Sequence, residues 1–345
     1  MRILLTGGAG FIGSRVAGKL VEDGHEVRVV DALVHGAPPV FPEEVEFVHG
    51  DLRDPDTVDR VLGGVELVSH HAAMVGRGKE ILDGPRYVGC NDLGTANLLA
   101  AMTRRDIGQL VLASSVVIYG DSRYDCPEHA RVRPSRRTRA DMDAGRYEPR
   151  CPECGAELVA SAVREDDPLD PPRNVYAVTK LAQEYLVGAW ANETGAAAVA
   201  LRYHNVYGPG IPYDSPYSGV AATFRSAVRA GRAPRVFEDG GPTRDFVHVS
   251  DVVSANLAAL RWTGAGMRAF NVASGEPRTI GQLATALTEA AGTPAPVVTG
   301  EYRPGDVRHI VASADRLRAE LSWRPEIGFH AGMREFATTE MRYAS

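Results

Sequence analysis

Seven residues near the start of the chain, Gly7-Gly8-Ala9-Gly10-Phe11-Ile12-Gly13, restrict its fold more than any other stretch. A short apolar run, Arg2–Thr6, leads into them. A segment of helical periodicity, Ile12–Asp23, leaves them and ends near Gly24. Glycines between a buried strand and a helix permit a tight turn and let main-chain N–H groups approach a pyrophosphate, while the helix N-terminus supplies favourable partial charge. The spacing Gly7-x-x-Gly10-x-x-Gly13 is a variant of the commoner dinucleotide fingerprint. Gly7, Gly10, Phe11, Ile12 and Gly13 are therefore candidate cofactor-binding residues.

The pattern repeats downstream. Glu26–Val30 reads as a second strand closed by Asp31, whose carboxylate can accept from ribose hydroxyls and would repel a 2′-phosphate. Ala32-Leu33-Val34 brings no arginine to welcome that phosphate, which favours NAD over NADP. Val45–Val48 is a third strand. Asp51 after it is placed either to accept from an adenine amino group or to cap the helix starting near Asp54. Val65–Ser69 is a fourth, followed by His70-His71-Ala72-Ala73, where Ala72 is small enough for close backbone approach. Neighbouring strand residues face opposite sides, so the two histidines read as core or pocket lining and not as a metal pair. Cys90–Leu99 opens a helix, Leu110–Ala113 is a fifth strand ending in Ser114-Ser115, and Ala197–Leu201 is a sixth. Alternating βα segments of this kind build a parallel sheet covered by helices on both faces, with ligands outside the carboxyl ends of the strands. Finally, Tyr176 and Lys180 lie four apart in a helical stretch, Val175–Trp190. That puts an ammonium beside a phenol and should lower its pKa toward working pH, as general acid/base chemistry requires.

Net charge −6 argues against nucleic acid as the main partner, and no apolar run is long enough to span a bilayer. The N-terminus reads as a buried strand and not as a signal peptide. Four cysteines, three of them in one segment, fit a reducing cytoplasm better than a disulfide framework.

Taken in order, the glycine cluster, Ser115 before Val116-Val117-Ile118-Tyr119-Gly120, Tyr176-x-x-x-Lys180, Leu201–Pro209, Thr243–Val249 and Arg303-Pro304-Gly305-Asp306 resemble the extended short-chain dehydrogenase/reductases, in the nucleotide-sugar epimerase/dehydratase branch typified by UDP-glucose 4-epimerase. The resemblance covers nearly the whole chain apart from one insertion. It implies a doubly wound parallel-sheet Rossmann domain (1–120, 164–202 and 241–263), a smaller α/β substrate-binding domain (203–240 and 264–345) and an insertion with a zinc-knuckle-like motif (121–163). It extends the cofactor set to Asp31, Asp51, Leu52, Ala72, Asn91, Tyr176, Lys180 and Tyr203. By the same resemblance Tyr176 is the base, Lys180 holds the nicotinamide ribose, and Ser115 binds the reacting hydroxyl. Asn205, Arg244, Arg303 and Asp306 would contact the diphosphate and nucleotide, and His204 replaces a usual aromatic hydrocarbon near the nicotinamide. Similar dehydratases carry Asp-Glu after the serine, and similar decarboxylases a glutamate at the second position. Val116 and Val117 supply no acid. Epimerisation, most often at C4, is the leading reading. Decarboxylation, epimerisation at C2 or at an exocyclic carbon, and a non-catalytic NAD-binding module are the alternatives. The resemblance also implies a homodimer through a four-helix bundle of helices around Asn91–Thr103 and Tyr176–Trp190.

The insertion carries Cys126-Pro127-Glu128-His129 and Cys151-Pro152-Glu153-Cys154-Gly155. Two ligand-x-x-ligand pairs give the four N/S donors of a tetrahedral structural zinc site, with Cys126, His129, Cys151 and Cys154 as candidates. Because it leaves the sheet after Ser115 and returns before Tyr176, the insertion should hang over the site as a lid.

Overall fold

Strands that are apolar along their whole length must be covered on both faces, and that condition organises this chain. The computed structural model describes residues 1–34, 41–76, 81–213, 219–339 and 342–343. Its main sheet has seven strands: β1 (Arg2–Thr6), β2 (Glu26–Asp31), β3 (Glu46–His49), β4 (Leu67–His70), β5 (Gln109–Ser115), β6 (Ala197–Tyr203) and β7 (Gly266–Val272). All pairs are parallel, in the order β7-β6-β5-β4-β1-β2-β3. Ile3 and Leu5 face a core shared with α1 (Gly13–Glu22) and α5 (Val249–Ala259). Leu4 faces the opposite core, shared with α2 (Pro55–Val61), α3 (Gly94–Arg104) and α4 (Val175–Thr194). Strand order reverses between β1 and β4, so a crevice opens at their carboxyl ends.

The glycine turn is sterically required. Gly7 has φ +67°, and a Cβ there would sit 2.5 Å from the Ala72 nitrogen, while one on Gly13 would sit 2.6 Å from the Gly7 carbonyl oxygen. The α1 N-terminus carries no side-chain cap. By contrast, α4 is capped by the Asn174 side chain, which accepts from the Ala177 N–H at 2.9 Å, and it stops at left-handed Gly195. Inside the protein, α4 is tied to β6 by Arg202, which donates to Glu184 through Nε at 3.0 Å and Nη2 at 2.8 Å. Both partners are buried.

The smaller unit packs helices Val220–Arg229, Ile280–Ala291 and Phe329–Thr338 around Phe224, Phe246, Leu283 and Phe336. Its sheet joins Asn205–Tyr207, Thr243–His248, Pro277–Thr279 and His309–Ile310. The domain boundaries need correcting here. Thr243–His248 belongs to this small sheet, whereas Gly266–Val272 is the seventh strand of the large one. Local pattern does not say which sheet a strand joins. The insertion forms a third layer, an antiparallel sheet of Arg123–Cys126, Ala130–Val132 and Val159–Ser161. No helix among the described residues is long and apolar enough to cross a membrane.

Candidate active site

β5 ends at Ser115, and α4 begins beside it, which brings Ser115, Tyr176 and Lys180 to one end of the sheet. Ser115 caps the short turn Val116–Tyr119, accepting from the Val117 N–H at 3.4 Å. The Tyr176 phenol faces Ser115, which favours its ionised form, and lies edge-on to Tyr87, ring centres 6.2 Å apart. Burial pushes the phenol up to about 12, with Ser115 opposing. Lys180, four residues on, does not offset that burial. Its ammonium instead donates to the Ala113 carbonyl at 2.8 Å and to Gln183 Oε1 at 2.9 Å. Burial lowers the Lys180 pKa to about 8, with Glu184 and Asp92 pulling the other way. Asp92 itself rises to about 6 through burial. Val116 and Val117 line the turn after Ser115 and bring no ionisable group.

The cofactor residues fall along the same crevice. Asp31 closes β2 beside the glycine turn and accepts from the Ala9 N–H at 2.9 Å and the Leu33 N–H at 2.8 Å. This fixes a carboxylate at the end of β2 beside the glycine turn. Ala72 follows β4 against Gly7, its N–H donating to Thr6 Oγ1 at 3.2 Å. A turn that a Cβ would fill, an uncapped helix start and a fixed carboxylate together fit a dinucleotide.

Other expected contacts are otherwise engaged. Asp51 is gripped by its neighbour Arg53, Nη2 to Oδ2 at 2.6 Å, and the cap of α2 is Asp54, which accepts from the Asp56 N–H. The capping role foreseen for Asp51 thus falls to Asp54. Leu52 is buried, and its carbonyl accepts from Asn97 at 3.0 Å. Asn91 sits in a π-turn, Val88–Leu93, and is fully buried. Its amide bonds the Met74 N–H at 2.7 Å, the Met74 carbonyl at 3.1 Å and Thr179 at 2.8 Å. It braces the loop after β4 instead of facing a ligand. The Tyr203 hydroxyl donates to Asn256 at 2.9 Å and its ring stacks on His71.

On the substrate side, Asn205 donates to the Asp245 carbonyl at 3.2 Å. Arg244 was foreseen as a phosphate clamp, yet its donors reach the carbonyls of Thr243 and Arg308, each at 2.8 Å, and of Val307 at 2.6 Å. It braces the loop that carries Asp306. Arg303 is exposed and stacks 5.0 Å over the Phe237 ring. His204 is buried with both ring nitrogens unpartnered among the described residues. Sequence reasoning missed Gln183, Thr179 and the Ser114–Glu184–Arg202 cluster. Gln183, three residues after Lys180, was the one local signal.

The insertion gathers Cys126, His129, Cys151 and Cys154 with all donor atoms within 4.8 Å of one another. Cys126 Sγ lies 3.6 Å from Cys154 Sγ and 3.6 Å from His129 Nδ1, and Cys151 Sγ is also 3.6 Å from that nitrogen. Four ligands about 2.0–2.3 Å from one tetrahedral ion lie roughly 3.5–3.8 Å apart, so these separations fit a zinc shell. The other ring nitrogen of His129 faces Glu153 at 3.6 Å, as ligand histidines commonly face a carboxylate.

Comparison with known proteins decides the family. The model of the NAD dependent epimerase/dehydratase family matches residues 3–139 and 154–273. The chain belongs to this family. It is 32% identical to the dTDP-L-rhamnose 4-epimerase of Burkholderia thailandensis, over 98% of this chain and 94% of the relative. The Thermus thermophilus UDP-glucose 4-epimerase solved with NAD superposes with a TM-score of 0.76 at 33% identity, covering 98% of each chain. The Thermotoga maritima UDP-glucose 4-epimerase solved with UDP-glucose gives 0.78 at 29% identity, over 98% of this chain and 97% of that one. The family match breaks at 140–153, inside the insertion.

Burial lowers His70, His71 and His204 from 6.5 to about 3. Between those values the unfolded chain binds protons that the folded one refuses, so stability must fall as pH drops below 6.5. His204→Phe should remove one proton from that dependence, about 1.4 kcal/mol per pH unit between roughly pH 4 and 6. Chemical denaturation across this range reads the slope, and an unchanged slope would contradict a neutral, buried His204.

Proposed function

We propose that this family member is an NAD-dependent nucleotide-sugar epimerase acting most naturally at C4. The observation that carries the reading is Ser115 and Tyr176 meeting at the sheet end with only valines, Val116 and Val117, in the next two positions. When bound, NAD supplies a hydride acceptor and donor for a ring carbon, together with a positively charged ring. Gly7, Gly10, Phe11, Ile12 and Gly13 would cradle its pyrophosphate, Asp31 its ribose hydroxyls, and Lys180 and Tyr203 its nicotinamide end. Tyr176 takes the proton from the sugar hydroxyl, Ser115 holds that hydroxyl and relays the proton, and the buried Lys180 ammonium stabilises the phenolate. Burial raises the phenol to about 12, and positive charge brought beside it would favour proton removal at neutral pH. With no acid after Ser115, nothing drives loss of water or carboxylate, so the keto sugar turns over and is reduced on its other face.

Asn205, Arg303 and Asp306 are proposed to hold the nucleotide diphosphate, with His204 lining the sugar side. The insertion is proposed to hold one structural zinc through Cys126, His129, Cys151 and Cys154. Val178 (48%) and Tyr185 (65%) of α4, seven residues apart on one face, are exposed, as are Val88 (46%) and Leu93 (50%) in the π-turn that packs against α4. Such a face supports the proposed four-helix-bundle homodimer; a cytoplasmic location is proposed from the cysteine usage alone.

Incubating tag-free protein with UDP-, dTDP-, GDP- and CDP-sugars, with NMR of the products, should show one sugar inverted at a ring carbon. Tyr176→Phe should slow it by about 10²–10⁴-fold. A stable 4-keto-6-deoxy product, or an undiminished rate in the variant, would overturn the reading. Light scattering and metal analysis of that same sample should return two chains and one zinc per chain. A monomer would sink the dimer, and a metal-free preparation the zinc site.

A further inference from the structure

The insertion's arm between the two ligand pairs crosses to the smaller unit and grips one loop. Arg137 Nη1 donates to both oxygens of Glu238 at 2.9 Å, and its Nη2 donates to the Asp306 carbonyl at 2.6 Å. Glu148 accepts from Arg308 Nε at 2.9 Å and pairs with His309 Nε2 at 2.7 Å. Tyr147 lies 5.6 Å under the Arg308 guanidinium and donates to the Gly300 carbonyl at 3.2 Å. Tyr302 reaches back to Asp143 at 2.6 Å. Arg308 also donates to Glu238 and Asp239, each at 2.7 Å, and both Arg308 and Glu238 are buried. Residues 300–309 are therefore clamped between this arm on one side and Arg244 on the other.

The arm has little of its own to hold it. The insertion's own apolar cluster is Tyr124, Cys126, Cys151 and Leu158, two of them metal-ligand candidates, and the arm adds one buried apolar residue from its short helix, Met142. A core this small does not order a segment without a staple. An ion joining 126 and 129 to 151 and 154 closes the arm at its base, removing loop entropy that the arm contacts would otherwise have to overcome.

We infer that the metal-closed insertion is a positioning device for the nucleotide end of the substrate: its Arg137 and Glu148 contacts fix loop 300–309, so metal occupancy sets affinity for the nucleoside diphosphate. The inference rests on the proposed zinc site and nucleotide-sugar reading, and it separates that affinity from cofactor binding and from chemistry at Tyr176.

The test uses the full-length protein as wild type, as the double variant Arg137→Met/Glu148→Gln, and after zinc removal by chelation. Each is titrated with UDP, dTDP, GDP, CDP and NAD, and amide hydrogen exchange is followed over 300–309. The double variant should keep its zinc, exchange about tenfold faster in that loop, and bind its preferred diphosphate about tenfold or more weakly. Its NAD affinity should stay within about twofold of wild type. Chelated protein should match it, and zinc should restore it. Unchanged diphosphate affinity in the zinc-retaining double variant would overturn the inference, as would full affinity after chelation. Wild type that binds none of the four diphosphates would instead strike the nucleotide-sugar reading, and this inference with it.

Discussion

A buried ammonium sets the geometry on which the rest depends. Lys180 has no route to water and satisfies its charge on the Ala113 carbonyl and Gln183, which locks the first turns of α4 to the end of β5. An uncompensated charge at that depth would cost several kcal/mol, so the helix has little freedom to slide along the strand. Gln183 in turn donates to Thr95 at 2.8 Å, Thr95 meets His70 at 2.9 Å, and His70 meets Thr6 at 2.7 Å. One polar chain thus runs from α4 through α3 and β4 to β1. Ser115 and Tyr176 come together because that chain holds the two elements carrying them, and it ends beside the glycine turn at which β1 stops.

The same chain explains why parts of the site could be read early and parts could not. Gly7, Gly13, Ser115, Tyr176 and Lys180 obey local rules, a turn that excludes Cβ atoms or a four-residue helical spacing, and local rules are visible in a string of letters. The π-turn that buries Asn91 is not local. It depends on the Met74 backbone and on Thr179, so its side chain became a brace where a ligand contact was expected. Arg244 differed from expectation for a similar reason: an arginine in a phosphate-binding motif reads as a clamp until neighbouring carbonyls, here Val307 and Arg308, turn out to lie in reach. For the phenol, sequence spacing reports the proximity of Lys180 but not desolvation, and burial is the larger effect on its pKa.

The insertion shows the converse. Its four donors were recognisable from two short spacings, and the fold gathers them at separations suited to one tetrahedral ion. What spacing could not disclose was the direction of the arm. Arg137, Tyr147 and Glu148 have no pattern of their own, and their partners lie 101 to 169 residues away in the chain. The arm of a segment expected to overhang the active-site mouth packs against residues 300–309, joined to them by Glu148 and the buried Arg308.

The central claim is that one phenol and one reacting carbon face each other with no acid to carry the intermediate elsewhere. The most direct measurement supplies the turned-over nucleotide sugar with deuterium on the carbon that inverts and follows the label by mass spectrometry and NMR in ordinary water. The account predicts an inverted product that keeps its deuterium on that carbon. Loss of the label to solvent, or its migration to another carbon of a deoxy keto sugar, would contradict it.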